Sequence, residues 1–456
     1  MNFFPPLIGL AIVLLAVRLI LKKVNSHAVL LFSGLLMLLF SWTFEMELPI
    51  PKKTTGSQLL DFFRLIKESF AKTNAGVGLM IMAIGGFVSY IHHIGASSIL
   101  VQIVIKPLSV FKSKPHLLAV LVIPIGQLLF ICIPSAAGLG LLLMASVFPV
   151  LVQLGVSRIS AASVITACTA YGIGPASAIT SRASDITDQV VISYFIEHQI
   201  PLVVPLSIFL ATTYYFVNKY FDTKNPEENI TSTIEEINPA LDIPKIYAIL
   251  PILPLFLLII FSDMLQLFQT PILLDTTTAM LISLIVAIIF EWFRIKSISK
   301  VFDSLSIFWN GMGNIFKTVV TLIISAEIFS MGLISLGAID ALVYLSQNFG
   351  MGAIGIAVIM TILIFMASMF MGSGNASFFA FAPLSSQIAN SYNVSSTIFV
   401  LPMNFSASMG RTVSPISGVL IAVSQLAGVS SMDLVKRNFI PFSFNMILLL
   451  ILHFIL

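Results

Sequence analysis

One basic side chain stands apart in this sequence. No Lys or Arg occurs between Lys317 and Arg411, and Arg411 lies in an apolar stretch among Asn404, Ser406, Ser408, Thr412 and Ser414, next to Gly410 and near Pro415. A guanidinium at membrane depth costs at least ~2.5–3.5 kcal/mol on insertion scales, so it is usually paired. Its planar fork matches a carboxylate in bidentate geometry. Three other strings have the small, hydroxyl-bearing composition of a backbone break. They are Ser135-Ala136-Ala137-Gly138, the run Gly372-Ser373-Gly374-Asn375-Ala376-Ser377, and a stretch carrying Thr169, Tyr171, Gly172, Gly174, Pro175 and Ser177. A break frees N–H and C=O groups that hydrocarbon cannot satisfy, and it survives where protein, water or a solute takes them up. Helix N-termini beyond the breaks would direct positive dipole ends at one point. Together with one Arg, that environment suits a small anion. A cation site would ask for more carboxylates, and a sugar site for more aromatics and amides. The candidate substrate-binding residues are Ser135, Ala137, Gly138, Thr169, Ser177, Ser373, Gly374, Asn375, Asn404, Ser406, Ser408, Arg411, Thr412 and Ser414. The competing reading of Arg411 is a structural pair with Glu327 or Asp185, or snorkelling to the interface.

The elements that hold these residues lie in a bilayer. Hydrophobic residues make up 58% of the chain and charged residues 9%, with mean hydropathy +1.03; soluble domains carry ~25% charged residues. Apolar runs long enough for the ~20 residues of a spanning helix recur along the whole chain. The pattern predicts spans near 4–21, 28–44 and 77–94, a helix over 159–193 broken near 172–177, and a span at 199–218. A second set follows at 246–262, 272–292 and 313–336, with a helix over 395–428 broken near 404–415 and a last span at 439–456. Segments 117–153 and 353–390 are too long for one span, and each predicts a re-entrant helical hairpin with a small-residue string at its tip. The run at 3–21 lacks the basic region and cleavage site of a signal peptide and reads as a first transmembrane helix. Residues 57–72 place Leu59, Phe62, Phe63 and Ile66 among charges, which predicts an interfacial amphipathic helix.

The chain is internally duplicated. Offsets of 238 to 242 positions lay Phe87 on Phe329, Gly95 on Gly337, Ser135 on Ser373, Val156 on Val394, Gly172 on Gly410 and Pro201 on Pro441. This gives a first repeat over 1–220, a polar linker over 221–245 with Glu227, Glu228, Glu235 and Glu236, and a second repeat over 246–456. Loops at 22–27, 105–117, 154–158, 219–245, 293–312 and 430–438 carry the basic residues, among them Lys22, Lys112, Arg158, Lys224, Arg294 and Lys436. Loops at 194–198, 263–271, 337–352 and 391–395 carry none. The positive-inside rule puts the first group, with the linker, in the cytoplasm; the mixed-charge loop at 45–76 stays outside. The expected fold is thus an all-α polytopic membrane protein of two inverted repeats, each with a re-entrant helical hairpin and a broken transmembrane helix. Paired breaks at matching places in two repeats point to a transporter's substrate site.

Other residues carry blander readings. Cys132 and Cys168 lie in apolar segments without CxxC spacing, so neither a disulfide framework nor a metal site is expected. His92 and His93 lack Glu or Cys at ligand spacing. Arg182, Asp185 and Asp188 read as a pairing set, and Glu327 and Asp340 as structural pairs with a coupling role for Na+ or H+ as the alternative. There is no P-loop, nucleotide fingerprint or Ser-His-Asp set, so an enzyme or an ATP-driven pump is not expected. A net charge of +3 gives no reason to expect nucleic acid.

Three segments resemble the anaerobic four-carbon dicarboxylate carrier family DcuC: Ser135 through Pro149, Gly372 through Phe381, and Gly410-Arg411-Thr412-Val413-Ser414-Pro415-Ile416-Ser417-Gly418. The Val435-Lys436-Arg437 loop, the length and the span order resemble it too, whereas Tyr171–Asp188 departs from the Pro-Thr-Ser-Gly-Asp string expected there. The resemblance implies a multi-pass carrier of succinate, fumarate or malate in the bacterial inner membrane, working by uptake, exchange or efflux during anaerobic metabolism. It also implies elevator-like alternating access, often in a homodimer. The alternative is a carrier of the same architecture for a monocarboxylate, an amino acid or sodium/proton exchange. Single cysteines at 154–158 and at 391–395, in a background lacking Cys132 and Cys168, are expected to react with an impermeant thiol reagent from opposite faces. Labelling of both from one face would sink the inverted arrangement.

Overall fold

The structure is a computed structural model that describes residues 4–22, 24–107, 115–224, 243–262, 272, 274–348 and 350–455. All secondary-structure elements among these residues are helical. Seven of the described helices are long and apolar enough to cross a membrane, and an eighth crossing results if Gln58–Ala75 and Val77–His93, which meet at 50°, form one span. Large apolar side chains stand on the outside: Phe32, Ile208 and Phe293 are 68%, 63% and 69% exposed. A continuous apolar exterior of this kind needs a cover, and lipid chains supply it.

The helices come in the same order twice. Phe4–Leu21, Ser26–Thr43, the amphipathic Gln58–Ala75, Val77–His93 and Ala96–Ile105 are followed by Leu253–Ile260, Thr276–Ile295, Ile298–Ile315, Thr321–Ser335 and Ala338–Asn348 in the second half. Next in each half comes a hairpin segment, Pro115–Cys132 with Ala136–Ser146 in the first and Gly352–Met371 with Gly374–Phe381 in the second. A broken span follows: Arg158–Ala167 with Ala178–Ile186, and Thr397–Thr412 with Gly418–Ala427. Each half ends on a long closing helix, Val191–Lys224 or Ser431–Ile455. The backbone repeats as well. Gly95 and Gly337, Gly155 and Asn393, and Asp188 and Gly428 all have left-handed φ at separations of 242, 238 and 240 positions.

Several bounds differ from the sequence expectation, for physical reasons. The expected loop at 293–312 is largely the helix Ile298–Ile315, which runs through a π turn at Phe316–Val320 into Thr321–Ser335. Lys300 and Asp303 gave it the look of a loop, yet its buried Val301, Phe308 and Gly311 follow helical spacing. The loop at 194–198 is helical too, with a π turn at Phe195–Gln199. Most of 337–352 is the helix Ala338–Asn348, and 431–438 belongs to the closing helix Ser431–Ile455. The first break opens at Cys168 rather than near 172, and the second spans 413–417 rather than 404–415. Asn404, Ser406, Ser408, Gly410 and Arg411 therefore lie within an intact helix. Gly410 is there for close packing: a Cβ on it would run into the Phe365 carbonyl and lie 2.8 Å from Ser368 Cβ. Residues 225–242 of the linker, the loop at 263–271, and Lys112 and Lys114 lie outside the described residues.

Residues of four of the six basic-bearing segments meet in one cluster. His116 Nδ1 stands 3.9 Å from Asp222 Oδ2, Asp222 Oδ1 accepts from Ser157 Oγ at 2.7 Å, and Arg437 Nη1 donates to the same oxygen at 3.2 Å. Two segments free of Lys and Arg meet the mixed-charge loop at 45–76 in another place, where Glu47, Gly337, Asp340, Asn390 and Ser391 line a cleft of about 640 Å3. Gly410→Val is expected to lower the melting temperature of the purified protein, because overpacking at such a crossing costs ~1–3 kcal/mol. An unchanged melting temperature would mean that this approach is not tight.

Candidate functional site

A broken helix leaves backbone groups without intrahelical partners. In the first broken span the irregular stretch runs from Cys168 to Ser177, and side chains from elsewhere in the fold take up its groups. The Gly172 amide donates to Ser408 Oγ at 3.0 Å. The Gly172 carbonyl accepts from Ser177 Oγ at 3.0 Å, Thr180 Oγ1 at 3.1 Å and Asn404 Nδ2 at 3.2 Å. The Gly174 amide donates to Gln199 Oε1 at 3.0 Å, and Gln199 Nε2 donates to Asn404 Oδ1 at 2.5 Å. Asn404 and Ser408 stand one helical turn apart on the second broken span, so a single face of that helix holds the first break. The second break is held in return: the Thr412 carbonyl accepts from Asn438 Nδ2 at 3.0 Å, and that amide also donates to Thr166 Oγ1 at 2.9 Å.

Arg411 stands at the meeting of the two breaks. Its Nη2 donates to the Thr169 carbonyl at 2.5 Å, and its Cζ lies 6.0 Å from the Phe130 ring centroid. Three other guanidinium groups have carboxylates: Arg437 has Asp222 at 3.2 Å, Arg294 has Glu291 at 2.7 Å, and Arg182 has Asp185, while half-buried Arg158 donates to the Ala427 carbonyl at 3.4 Å. Arg411 has no carboxylate among the described residues. Both partners expected for a structural pair are engaged elsewhere. Glu327 accepts from Ser69 Oγ at 2.5 Å and lies 3.9 Å from Lys72 Nζ, while Asp185 serves Arg182. The helices beyond the two breaks, Ala178–Ile186 and Gly418–Ala427, begin at Ser177 and Ser417 without a side-chain cap. Their first-turn amides therefore lack the usual capping acceptor. No group of three or more His, Cys, Asp or Glu side chains is placed to hold a metal ion among the described residues.

The structure gathers some of the sequence-predicted residues and not others. Thr169, Ser177, Asn404, Ser408 and Arg411 belong to one hydrogen-bonded network, with Thr412 joined through its carbonyl. Ser414 is buried in the second break, where its Oγ accepts from the Ile416 amide at 3.4 Å. Gly374 is pressed against the second broken span: a Cβ there would lie 2.8 Å from the Ala407 carbonyl oxygen. Ser373 caps its helix by accepting from the Ala376 amide at 3.2 Å, and half-buried Asn375 makes no hydrogen bond among the described residues. Ser406 turns back to the Met403 carbonyl at 3.0 Å and stays out of the network. The first tip also stays apart. Ser135 caps its own helix through the Gly138 amide at 3.1 Å, Ala137 is exposed, and a Cβ on Gly138 would meet only Ser135. Sequence reasoning missed Gln199, Thr180, Thr166 and Asn438. Its available signal was the presence of amides inside otherwise apolar closing helices, where an unpartnered amide is costly.

Comparison with known proteins then gives the following. The family described as C4-dicarboxylate anaerobic carrier, DcuC, matches residues 4–456. The anaerobic C4-dicarboxylate transporter DcuC of Escherichia coli K12 is 31% identical over 452 residues, covering 99% of this chain and 96% of that one. A relative in Vibrio cholerae described as a probable anaerobic C4-dicarboxylate transporter DcuC is 32% identical over 451 residues, covering 98% of this chain and 96% of that one. Among solved structures, the antimetabolite efflux pump MtrF of Neisseria gonorrhoeae superposes with a TM-score of 0.54 at 13% identity, covering 96% of each chain. The YdaH transporter of Alcanivorax borkumensis does so with a TM-score of 0.53 at 13% identity over 98% of each. These two structural neighbours share the fold.

The two hairpin tips differ in how tightly they dock, so matched substitutions are expected to differ. Gly374→Ala is expected to weaken the fold by ~1–3 kcal/mol, the range for overpacking, with Gly374→Val worse. Gly138→Ala is expected to be nearly neutral. Thermal unfolding of the purified variants checks both, and equal effects would contradict the asymmetry.

Proposed function

This chain belongs to the C4-dicarboxylate anaerobic carrier family DcuC, and on that premise we propose that it is a secondary transporter of small C4-dicarboxylates such as succinate, fumarate and malate. It is a multi-pass protein of the bacterial inner membrane and not an enzyme. The observation that carries the substrate reading is Arg411, a largely buried cation with no carboxylate partner among the described residues, set between two broken spans. One substrate carboxylate takes the guanidinium fork in bidentate geometry. The other lies toward the uncapped helix starts at Ala178 and Gly418, where first-turn amides and the helix dipole favour negative charge. A dianion satisfies both ends of such a site. A monocarboxylate leaves one end to water.

Transport follows from the duplicated build. The two repeats lie inverted in the membrane, so each hairpin approaches the crossing of the broken spans from its own face. The broken spans and hairpins carry the substrate past the remaining helices in an elevator-like cycle of uptake, exchange or efflux, coupled to Na+ or H+. The Thr169 carbonyl holds Arg411 in place, which lessens the cost of a charge at membrane depth.

Counterflow of labelled succinate in liposomes containing the purified protein tests the reading. Fumarate and malate are expected to compete, and lactate to compete weakly. Arg411→Lys keeps the charge but loses the fork, and is expected to weaken succinate binding by ~1.5–3 kcal/mol, the range for a hydrogen bond to a charged group. Arg411→Ala is expected to lose more. Unchanged succinate affinity in Arg411→Ala would make that arginine structural, and absence of succinate counterflow in the wild type would overturn the substrate.

A further inference from the structure

Two buried amides, one in each half, do the same job at the crossing of the broken spans. Gln199 and Asn438 are each 0% exposed, and each sits in a closing helix, 239 positions apart. Gln199 takes the Gly174 amide of its own half's break on Oε1 at 3.0 Å. With Nε2 it reaches Asn404 of the other half's broken span at 2.5 Å, and Thr180 at 3.0 Å. Asn438 gives Nδ2 to the Thr412 carbonyl at its own half's break at 3.0 Å, and to Thr166 of the other half's broken span at 2.9 Å. Its Oδ1 accepts from Tyr214 at 2.9 Å. The π turn at Phe195–Gln199 is what brings Gln199 into register with the break, an extra residue in the helix serving a local task. Each amide thus joins three parts: a closing helix, the break of its own half, and the broken span of the opposite half.

We infer that Gln199 and Asn438 are a matched pair of positioning residues that lock the two breaks into one rigid site, so that Arg411 and the uncapped helix starts keep the spacing a substrate requires. The physical argument is complementarity of donor and acceptor. The first break presents an orphan N–H at Gly174 and meets an amide oxygen, whereas the second presents an orphan C=O at Thr412 and meets an amide nitrogen. An amide offers donor and acceptor on two separate atoms without adding charge. Buried groups deprived of that partner would seek water or distort the break. A polar side chain that merely filled space would need no bond across the halves, yet both amides make one.

Hydrogen–deuterium exchange on unliganded protein reads the lock directly. Gln199→Leu is expected to speed exchange in the peptide containing Gly174 at least tenfold, and Asn438→Leu to do the same for residues 413–417. Gln199→Glu keeps the acceptor for the Gly174 amide and is expected to restore its protection; with Asn438→Asp it also serves where a leucine variant fails to fold. Succinate affinity is the second readout and rests on the carrier reading above: the dissociation constant is expected to rise about tenfold in each leucine variant. A role confined to stability would lower the melting temperature and leave affinity and local exchange at the breaks unchanged, which would overturn the inference. Failure of the wild type to bind succinate would count against the substrate alone, because the exchange experiment uses no ligand.

Discussion

Backbone groups freed in an apolar interior are the constraint from which the rest of this structure follows. Opening a helix between Cys168 and Ser177 and again over 413–417 leaves N–H and C=O groups where lipid can offer nothing. The fold answers by crossing the two broken spans, so that Asn404 and Ser408 of one serve Gly172 of the other. Side chains from the closing helices complete the set. This requirement explains why the polar residues of so apolar a chain are concentrated inside it, with Asn404, Ser408, Gln199, Asn438 and Asn445 all nearly inaccessible. The lipid-facing helices, relieved of that duty, expose Leu, Ile and Phe.

Charge is distributed by the same economy. Buried carboxylates and guanidinium groups come in pairs near the ends of helices. Arg437 with Asp222 is the most elaborate case, reinforced by Ser157, Ser160 and Asn218. Removing one member of such a pair leaves the other charge buried and unmatched, a loss of ~3–5 kcal/mol. Arg411 does not follow that pattern. It has a carbonyl where Arg437, Arg294 and Arg182 have a carboxylate, and a carbonyl dipole compensates a cation only in part.

Much of the fold was legible because hydropathy and glycine placement act over short range. The hairpin segments, the doubled order of helices and the left-handed turns at Gly95 and Gly337 all leave local marks. What misled was context. Gly410 beside hydroxyls looks like a break, but it is a packing residue in an intact helix, and only the facing Phe365 backbone reveals this. Lys300 and Asp303 look like loop residues until the opposite helical face is seen to be buried. The site was legible in its second half, where Asn404, Ser408 and Arg411 cluster within two helical turns. In its first half Thr169 and Ser177 were legible and Thr180 and Gln199 were not, since those two reach Gly172 and Gly174 through tertiary geometry that spacing does not encode.

The duplication is symmetric in backbone and asymmetric in chemistry, and electrostatics gives a reason. The sequence offset that lays Gly172 on Gly410 lays Ile173 on Arg411; Gly172 lies in the first break and Gly410 in an intact helix, and Ile173 is buried and apolar. A second guanidinium at that place would be another buried cation in the crossing of the broken spans. Two like charges ~4 Å apart repel by ~4 kcal/mol at an effective dielectric of ~20, on top of the desolvation of another ion. Instead the first half contributes a carbonyl at Thr169 to hold the single Arg, and an uncapped helix start at Ala178. The formal charge therefore comes from one half, whereas helix-start dipoles come from both. That division leaves a single fixed cation at the crossing, held by a carbonyl dipole rather than by a carboxylate among the described residues.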